Sequence, residues 1–317
     1  MSSAPAPDIL TLTLNPALDL LTTVERVQPT HKLRCGPALF HPGGGGVNVA
    51  RVVHRLGAGV RALYTEGGAT GRELRALLDQ EGVPCEGLPI VAPTRESLSV
   101  HETSSGLDWR FVLPGPTLLP AEWAACEQRF VQCGATAGHW VLSGSLPPGV
   151  PDDFYARLAR QARLQGRRLV LDASGAALGA ALAEGVYLVK PSLRELSEHL
   201  GRPLDDEPAC LAAARQLIDQ GQAEIVALTL GERGALLVSA RQAWRAPALS
   251  VPVASTIGAG DSFVGGLVWA LARQDDLEQA LRLAMAASAA ALLSEGTALC
   301  QPAEVQRLRA QVRLEAL

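Results

Sequence analysis

Ser255-Thr256-Ile257-Gly258-Ala259-Gly260-Asp261-Ser262-Phe263 runs directly into an apolar helix that contains Gly265-Gly266. Gly258 to Gly260 are able to aim successive backbone N–H groups into one concavity, at a helix end whose dipole favours anions. Asp261 reads in two compatible ways. It is a residue type that caps helix N-termini. It is also a carboxylate beside an anion hole, placed to accept a hydroxyl proton while the amides stabilise a transferring phosphoryl group. A second glycine run, Pro42-Gly43-Gly44-Gly45-Gly46-Val47-Asn48, also precedes a helix. It leaves no side chain between a ligand and the main chain, and it puts the Asn48 amide in the first turn, within reach of a hydroxylated ligand. Taken alone, the run reads equally well as a flexible turn. It is not a dinucleotide fingerprint, because the third position is Asn48 rather than Gly, nor a Walker loop, because no Gly-Lys-Ser/Thr follows.

Outward from these motifs the chain alternates short apolar strands with helices. Ile9–Leu14, Val60–Tyr64, Trp140–Ser143, Arg168–Asp172, Tyr187–Lys190 and Glu224–Leu230 read as strands, with Gly234–Ser239 and Trp244–Ala246 as a β-extension. Val47–Leu56, Arg72–Gln80, Asp152–Gln165, Ala176–Ala183, Leu193–Leu200, Ser262–Arg273, Leu277–Leu293 and Ala303–Arg313 read as helices. This order predicts βαβ units and a mainly parallel sheet with helices on both faces. Two stretches break the rhythm. Residues 22–41 and 88–113 are rich in β-formers without an intervening helix, and Ser97–His101, a Ser104-Ser105-Gly106 turn and Asp108–Leu113 form a hairpin pattern. They predict a small β-sheet lid at the mouth of a site.

Composition narrows the function. The 317 residues are 48% apolar and 19% charged, with a formal net charge of −4. That excludes general disorder and argues against binding nucleic acid or an anionic membrane by bulk charge. The apolar stretch Leu281–Leu293 is too short to span a bilayer. The start, Met1 to Asp8, has neither a basic nor an apolar signal region and reads as a loose tail. Six cysteines with no metal-like spacing read as buried thiols in a reducing compartment, the cytoplasm. Only Lys32 and Lys190 are lysines among 28 basic residues, and Asn15 and Asn48 are the only asparagines. Their codons begin AA, so GC-rich coding depletes both. Positions that keep them are then candidates for chemistry that arginine or serine does not supply.

The pair of glycine motifs, Gly43–Gly46 with Asn48 and Thr256-x-Gly258-Ala259-Gly260-Asp261, resembles the two signatures of the ribokinase-like (PfkB) sugar kinases. The resemblance runs from Leu12-Thr-Leu-Asn-Pro-Ala-Leu-Asp19 to Glu295-Gly-Thr-Ala-Leu-Cys300. Lys32-Leu-Arg-Cys35, Arg110-Phe-Val-Leu-Pro-Gly115 and Ser143-Gly-Ser-Leu-Pro-Pro-Gly149 place it nearest the minor ATP-dependent 6-phosphofructokinases. The resemblance implies one ribokinase-like kinase domain over 1–317, using ATP and a phosphorylated ketohexose. The reaction implied is phosphorylation of fructose 6-phosphate at its C1 hydroxyl. Tagatose-6-phosphate kinase, 1-phosphofructokinase and a non-catalytic sugar or nucleotide sensor remain alternatives, and a nucleoside kinase is disfavoured by the cationic set below.

Residue by residue, the resemblance assigns Asp261 as the catalytic base, with Gly258, Ala259 and Gly260 as the anion hole. Asp19, Gly44, Gly45 and Asn48 would line the sugar pocket, and Lys32, Arg95 and Ser145 would take the 6-phosphate. Lys190, Ser192, Thr229, Gly231 and Gly234 would contact ATP. Glu195 would place Mg2+ through water. Ser192 departs from the family pattern, which has Asn there in Asn-x-x-Glu. A K+ site near Ser255–Ile257 is a further family expectation, and the lid of related proteins pairs subunits, which implies a homodimer.

Overall fold

The computed structural model describes residues 8–317, which leaves Met1 to Pro7 of the expected tail outside the described residues. In chain order the first part contains β1 (Ile9–Thr13), β2 (Ala17–Val24), β3 (Leu39–Gly43), α1 (Gly45–Arg55), β4 (Val60–Glu66), α2 (Gly68–Gln80) and β5 (Cys85–Pro89). The middle contains β6 (Arg95–Glu102), β7 (Leu107–Val112), α3 (Pro120–Gly134), β8 (His139–Ser143), α4 (Phe154–Leu164), β9 (Arg168–Asp172), α5 (Gly175–Glu184) and β10 (Val186–Val189). The last part contains α6 (Leu193–Leu200), α7 (Glu207–Asp219), β11 (Ala223–Thr229), β12 (Ala235–Ser239), β13 (Ala243–Ala246), α8 (Ala259–Ala272), α9 (Leu277–Leu292), α10 (Pro302–Arg309) and β14 (Glu315–Ala316).

Ten strands form one sheet in the order β14-β13-β12-β11-β10-β9-β8-β1-β4-β5, parallel from β11 to β5 and antiparallel beyond β11. Alternating side chains of each strand enter separate cores on the two faces. Ile9 and Val141 pack under α1, α8 and α9, whereas Leu10, Leu12, Trp140 and Leu142 pack under α3, α4 and α5. This is the parallel sheet, covered on both sides, that the strand-helix order predicts. Helices α3 and α7 were not expected from the sequence: α3 is Glu- and Gln-rich and buries only Cys126, Phe130 and Gly134, and α7 is Ala-rich and weakly patterned.

A second sheet, ordered β3-β2-β6-β7, is the expected lid with shifted limits. It begins at Ala17 rather than near 22, because β2 follows β1 after a short turn. The segment 85–89 is β5, an edge strand of the large sheet paired with β4, so the lid resumes only at Arg95 and not at 88. Pairing of Leu20 with Phe40 and Leu98, and of Leu98 with Phe111, lines up one apolar face. Phe40, Leu98, Trp109 and Phe111 are each more than a third exposed. The opposite face carries Asp19, Arg95, Ser97 and Arg110 and closes over the ends of the parallel strands. The sheet thus turns its polar side inward. No helix among the described residues is long and apolar enough to cross a membrane. All six cysteines are free, with Cys126, Cys210 and Cys300 buried, Cys85 and Cys133 half-buried, and Cys35 exposed rather than buried as expected.

Candidate active site

The C-terminal ends of parallel strands are where an open α/β sheet presents ligands with loops and unpaired backbone groups. Here those ends, roofed by the lid, enclose a polar cavity of about 360 Å3. Asp19, Gly44, Gly45, Asn48, Arg95, Ser145, Lys190, Glu195, Gly258, Gly260 and Asp261 all line it, from segments up to 242 residues apart. Lys32 does not. It lies exposed on the irregular stretch between β2 and β3, away from the cavity of its own chain.

The glycine run is explained as much by packing as by ligand approach. A Cβ on Gly45 would lie 2.2 Å from the Ser143 hydroxyl, and one on Gly46 would lie 2.7 Å from the Leu12 carbonyl oxygen. Helix α1 therefore starts hard against the ends of β1 and β8. Gly44 has φ 114°, a conformation that an L side chain resists. Asn48, buried in the first turn, donates its Nδ2 to Asp261 Oδ2 at 2.8 Å.

The second motif sits deeper in its helix than expected. Helix α8 opens at Ala259, three residues before the expected Ser262, with Gly258 at the N-cap in a left-handed conformation. Asp261 is therefore in the first turn and is not the cap. The N–H groups of Ala259, Gly260 and Asp261 are first-turn donors without helical acceptors, as an anion hole requires. Burial pushes the Asp261 carboxyl up to about 6, and Asp172 adds to the rise, while the Asn48 hydrogen bond and Lys190 oppose it. A carboxylate tuned toward neutrality is suited to take a proton at physiological pH.

Lys190 follows β10 and is buried against Asp172 at the end of β9, with Nζ to Oδ1 2.9 Å. Burial pulls the Lys190 ammonium down, but Asp172 more than offsets this and leaves it above its ordinary value. The Ser143 hydroxyl donates to the other Asp172 oxygen at 3.3 Å. A Cβ on Gly260 would stand 3.9 Å from Lys190 Nζ, so the ammonium sits beside the first turn of α8. Asp172 went unnoticed in the sequence, although its place at the end of an apolar strand was a usable signal.

At the other end of the cavity, Arg95 donates to the carbonyls of Leu113 and Asn15 at 3.1 Å each. Arg110 faces the same space, and Ser145 accepts a hydrogen bond from Asn15 Nδ2 at 3.0 Å. Burial raises the Asp19 carboxyl, with Arg110 and Arg95 opposing. Two guanidinium groups and one hydroxyl converge here, a donor set that suits a phosphoryl dianion. Arg110 belongs to a stretch read only for resemblance, and its role was missed because one arginine among 26 carries no signal of its own.

A second cleft of about 480 Å3, more apolar, meets the first at Gly260. Ser192, Thr229, Gly231, Gly234 and Ala259 line it beside Leu249, Phe263 and Met285. Ser192 caps α6: its hydroxyl accepts from Glu195 N–H at 3.3 Å, and Glu195 Oε2 accepts from Ser192 N–H at 2.8 Å. An Asn would cap equally well, so the departure at 192 leaves the local fold intact. No group of three or more metal-ligating side chains occurs among the described residues. The donors present, Glu195 and Asp172, fit Mg2+ that keeps most of its water and takes its remaining oxygens from phosphates.

Known proteins resemble the chain over most of its length. The chain is 47% identical over 301 residues to the ATP-dependent 6-phosphofructokinase isozyme 2 of Mycobacterium tuberculosis, covering 95% of this chain and 88% of that one. It is 35% identical over 313 residues to the 1-phosphofructokinase of Xanthomonas campestris, covering 97% and 98%. The crystal structure of Escherichia coli phosphofructokinase-2 in complex with fructose-6-phosphate superposes with a TM-score of 0.91 at 40% identity, covering 96% of this chain and 99% of that one. The profile of pfkB family carbohydrate kinases matches residues 13–304, which include both glycine motifs, the lid and the Lys190 strand. The chain therefore belongs to the pfkB family of carbohydrate kinases.

Proposed function

We propose that the chain transfers the γ-phosphoryl group of ATP to the C1 hydroxyl of fructose 6-phosphate. One observation carries this reading. Asp261 and the first turn of α8 stand where an arginine-bearing polar cavity meets a more apolar cleft. The first suits a sugar phosphate and the second an adenine nucleotide.

Arg95, Arg110 and Ser145 bind the 6-phosphate, and Asp19, Gly44 and Asn48 hold the sugar hydroxyls, which leaves C1 toward Asp261. Its carboxylate takes the C1 hydroxyl proton as the oxygen bonds to the γ-phosphorus and the bond to the β-phosphate oxygen breaks. The N–H groups at Gly258 to Asp261 and the Lys190 ammonium stabilise the charge on the transferring group. Glu195 would help to hold Mg2+ brought in with ATP, and the ion would supply charge neutralisation there. K+ near Ser255–Ile257 is the second ion of this proposal. The lid supports a homodimer: its outer Phe40, Leu98, Trp109 and Phe111 form an apolar strip of the kind that a second copy covers. Six unpaired thiols suit the cytoplasm.

An ADP-release assay across fructose 6-phosphate, tagatose 6-phosphate and fructose 1-phosphate tests the substrate. The highest kcat/KM is expected on fructose 6-phosphate. A higher value on either of the others overturns the assignment, and no ADP release with any of them returns the chain to the sensor reading.

A further inference from the structure

Arg51 is fully buried on α1, one turn beyond Asn48, which is rare for a permanently charged side chain. Its Nε donates to both Glu81 oxygens at 3.0 Å and its Nη2 to Oε1 at 2.6 Å. Glu81 is braced in turn by Arg55 at 3.0 Å. Burial works against the Glu81 carboxylate, but the two arginines hold it below its usual range. The remaining amino group, Nη1, points the other way. It donates to the carbonyls of Pro42 and Thr297 at 2.9 Å each and to Asn48 Oδ1 at 3.2 Å.

A side-chain amide has an acceptor end and a donor end of nearly the same shape, and its neighbours decide which way it faces. Guanidinium has donors only. With Arg51 against one end of Asn48, that end must be Oδ1, and Nδ2 must face Asp261. A reversed amide would set hydrogens against the guanidinium and an oxygen lone pair against the carboxylate. We infer that Arg51 is a positioning residue: it fixes the direction of the Asn48 amide and so keeps the Asp261 carboxylate hydrogen-bonded and aimed. The same amino group ties the end of β3 to the Thr297 wall of the cavity, so one buried cation registers the lid, α1 and the base. The functional part of the inference rests on Asp261 being the base, whereas the amide direction is measurable without turnover.

The scarcity of asparagine supplies the probe. Labelling the full chain with 15N-asparagine gives two side-chain amide signals, and an Asn15→Ser variant identifies that of Asn48. In the wild-type protein without substrate, the Asn48 signal is expected outside the free-amide region and to titrate with Asp261 near pH 6. Asp19, Asp172 and Lys190 are the other charged groups acting on that carboxyl. In Arg51→Gln, with the fold verified by circular dichroism, the signal is expected to move to the free-amide region and lose the titration. An unchanged signal overturns the inference. If the variant does not fold, a wild-type Asn48 signal at the free-amide position with no titration overturns it equally.

A double-mutant cycle adds the functional arm. Arg51→Gln is expected to lower kcat about 100-fold when Asn48 is present, and by less than about threefold in an Asn48→Ser background. Equal factors in both backgrounds would show a purely structural arginine. A wild-type protein inactive on fructose 6-phosphate would refute the substrate and leave the amide measurement standing.

Discussion

Replacing Asp261 by Asn is expected to lower turnover sharply and, at the same time, to stabilise the protein. The carboxyl is raised from 3.8 to about 6 in the folded chain. Its protonated form is therefore favoured by folding, and ionisation works against the native state. The cost is fully present above pH 6 and is relieved as pH falls through 6 toward 3.8. The two pKa values differ by about 2 units, and at 1.36 kcal/mol per unit the cost at pH 8 is at most about 3 kcal/mol. The same linkage leaves about half of it at pH 5. Because the side chain still borders a solvent-filled cavity, this is an upper bound. Asn is uncharged and its oxygen is able to keep the Asn48 hydrogen bond. Thermal unfolding of both proteins from pH 4.5 to 8, without ligands, measures the difference. The variant is expected to melt up to about 6 °C higher at pH 8, at about 2 °C per kcal/mol, with the gap shrinking on acidification. Its kcat is expected to fall by about 100- to 10,000-fold, while fructose 6-phosphate still binds. A gap that does not change with pH, or a variant less stable at pH 8, would refute the electrostatic reasoning. Undiminished turnover would refute the role of the base.

Three further outcomes follow from the same geometry. Arg110→Ala is expected to raise KM for fructose 6-phosphate by about tenfold or more with KM for ATP little changed, because a charge-assisted hydrogen bond is worth roughly 1.5–3 kcal/mol. Steady-state kinetics with each substrate varied in turn checks it, and an equal rise in both would show a general disturbance instead. Asp172→Asn strands the Lys190 ammonium in a buried site, so a stability loss of about 3 kcal/mol is expected by urea unfolding, with a raised KM for ATP. On the proposed homodimer, light scattering is expected to show a dimer for the wild-type chain and a monomer for Phe111→Asp, on the outer lid face, and a wild-type monomer would refute the pairing.

The body of the fold was legible because its signal is redundant. Each parallel strand is a short run of Val, Leu and Ile, and the cores on both faces follow from strict alternation along β1 and β8. Helices α3 and α7 were not, since few of their side chains enter the core and their polar residues obscure the period. The site was legible where motif and local structure coincide, at Gly44, Asn48 and Asp261. It was illegible where function depends on distant pairing. Asp172 pairs with Lys190, Arg110 comes into range through its strand pairing with β6, and Arg51 makes contacts that span 246 residues of chain. The sequence reading also placed both lysines at phosphates. Lys190 lines the cavity beside the first turn of α8, whereas Lys32 lies outside the cavity of its own chain.

The two unlike faces of the lid would couple sugar recognition to protein concentration in the proposed homodimer. The small sheet that presents Asp19, Arg95 and Arg110 to the cavity presents Phe40, Trp109 and Phe111 to water on its other side. Adjacent residues on one strand, such as Arg110 and Phe111, cannot be rotated independently, because a strand moves both faces together. In the proposed homodimer, whatever settles the outer side would settle the inner side, and dilution that strips away a second copy would loosen the proposed sugar site in the same motion. Specific activity would then be a function of protein concentration, and the amount of protein made by the cell would control the rate per molecule as well as the total.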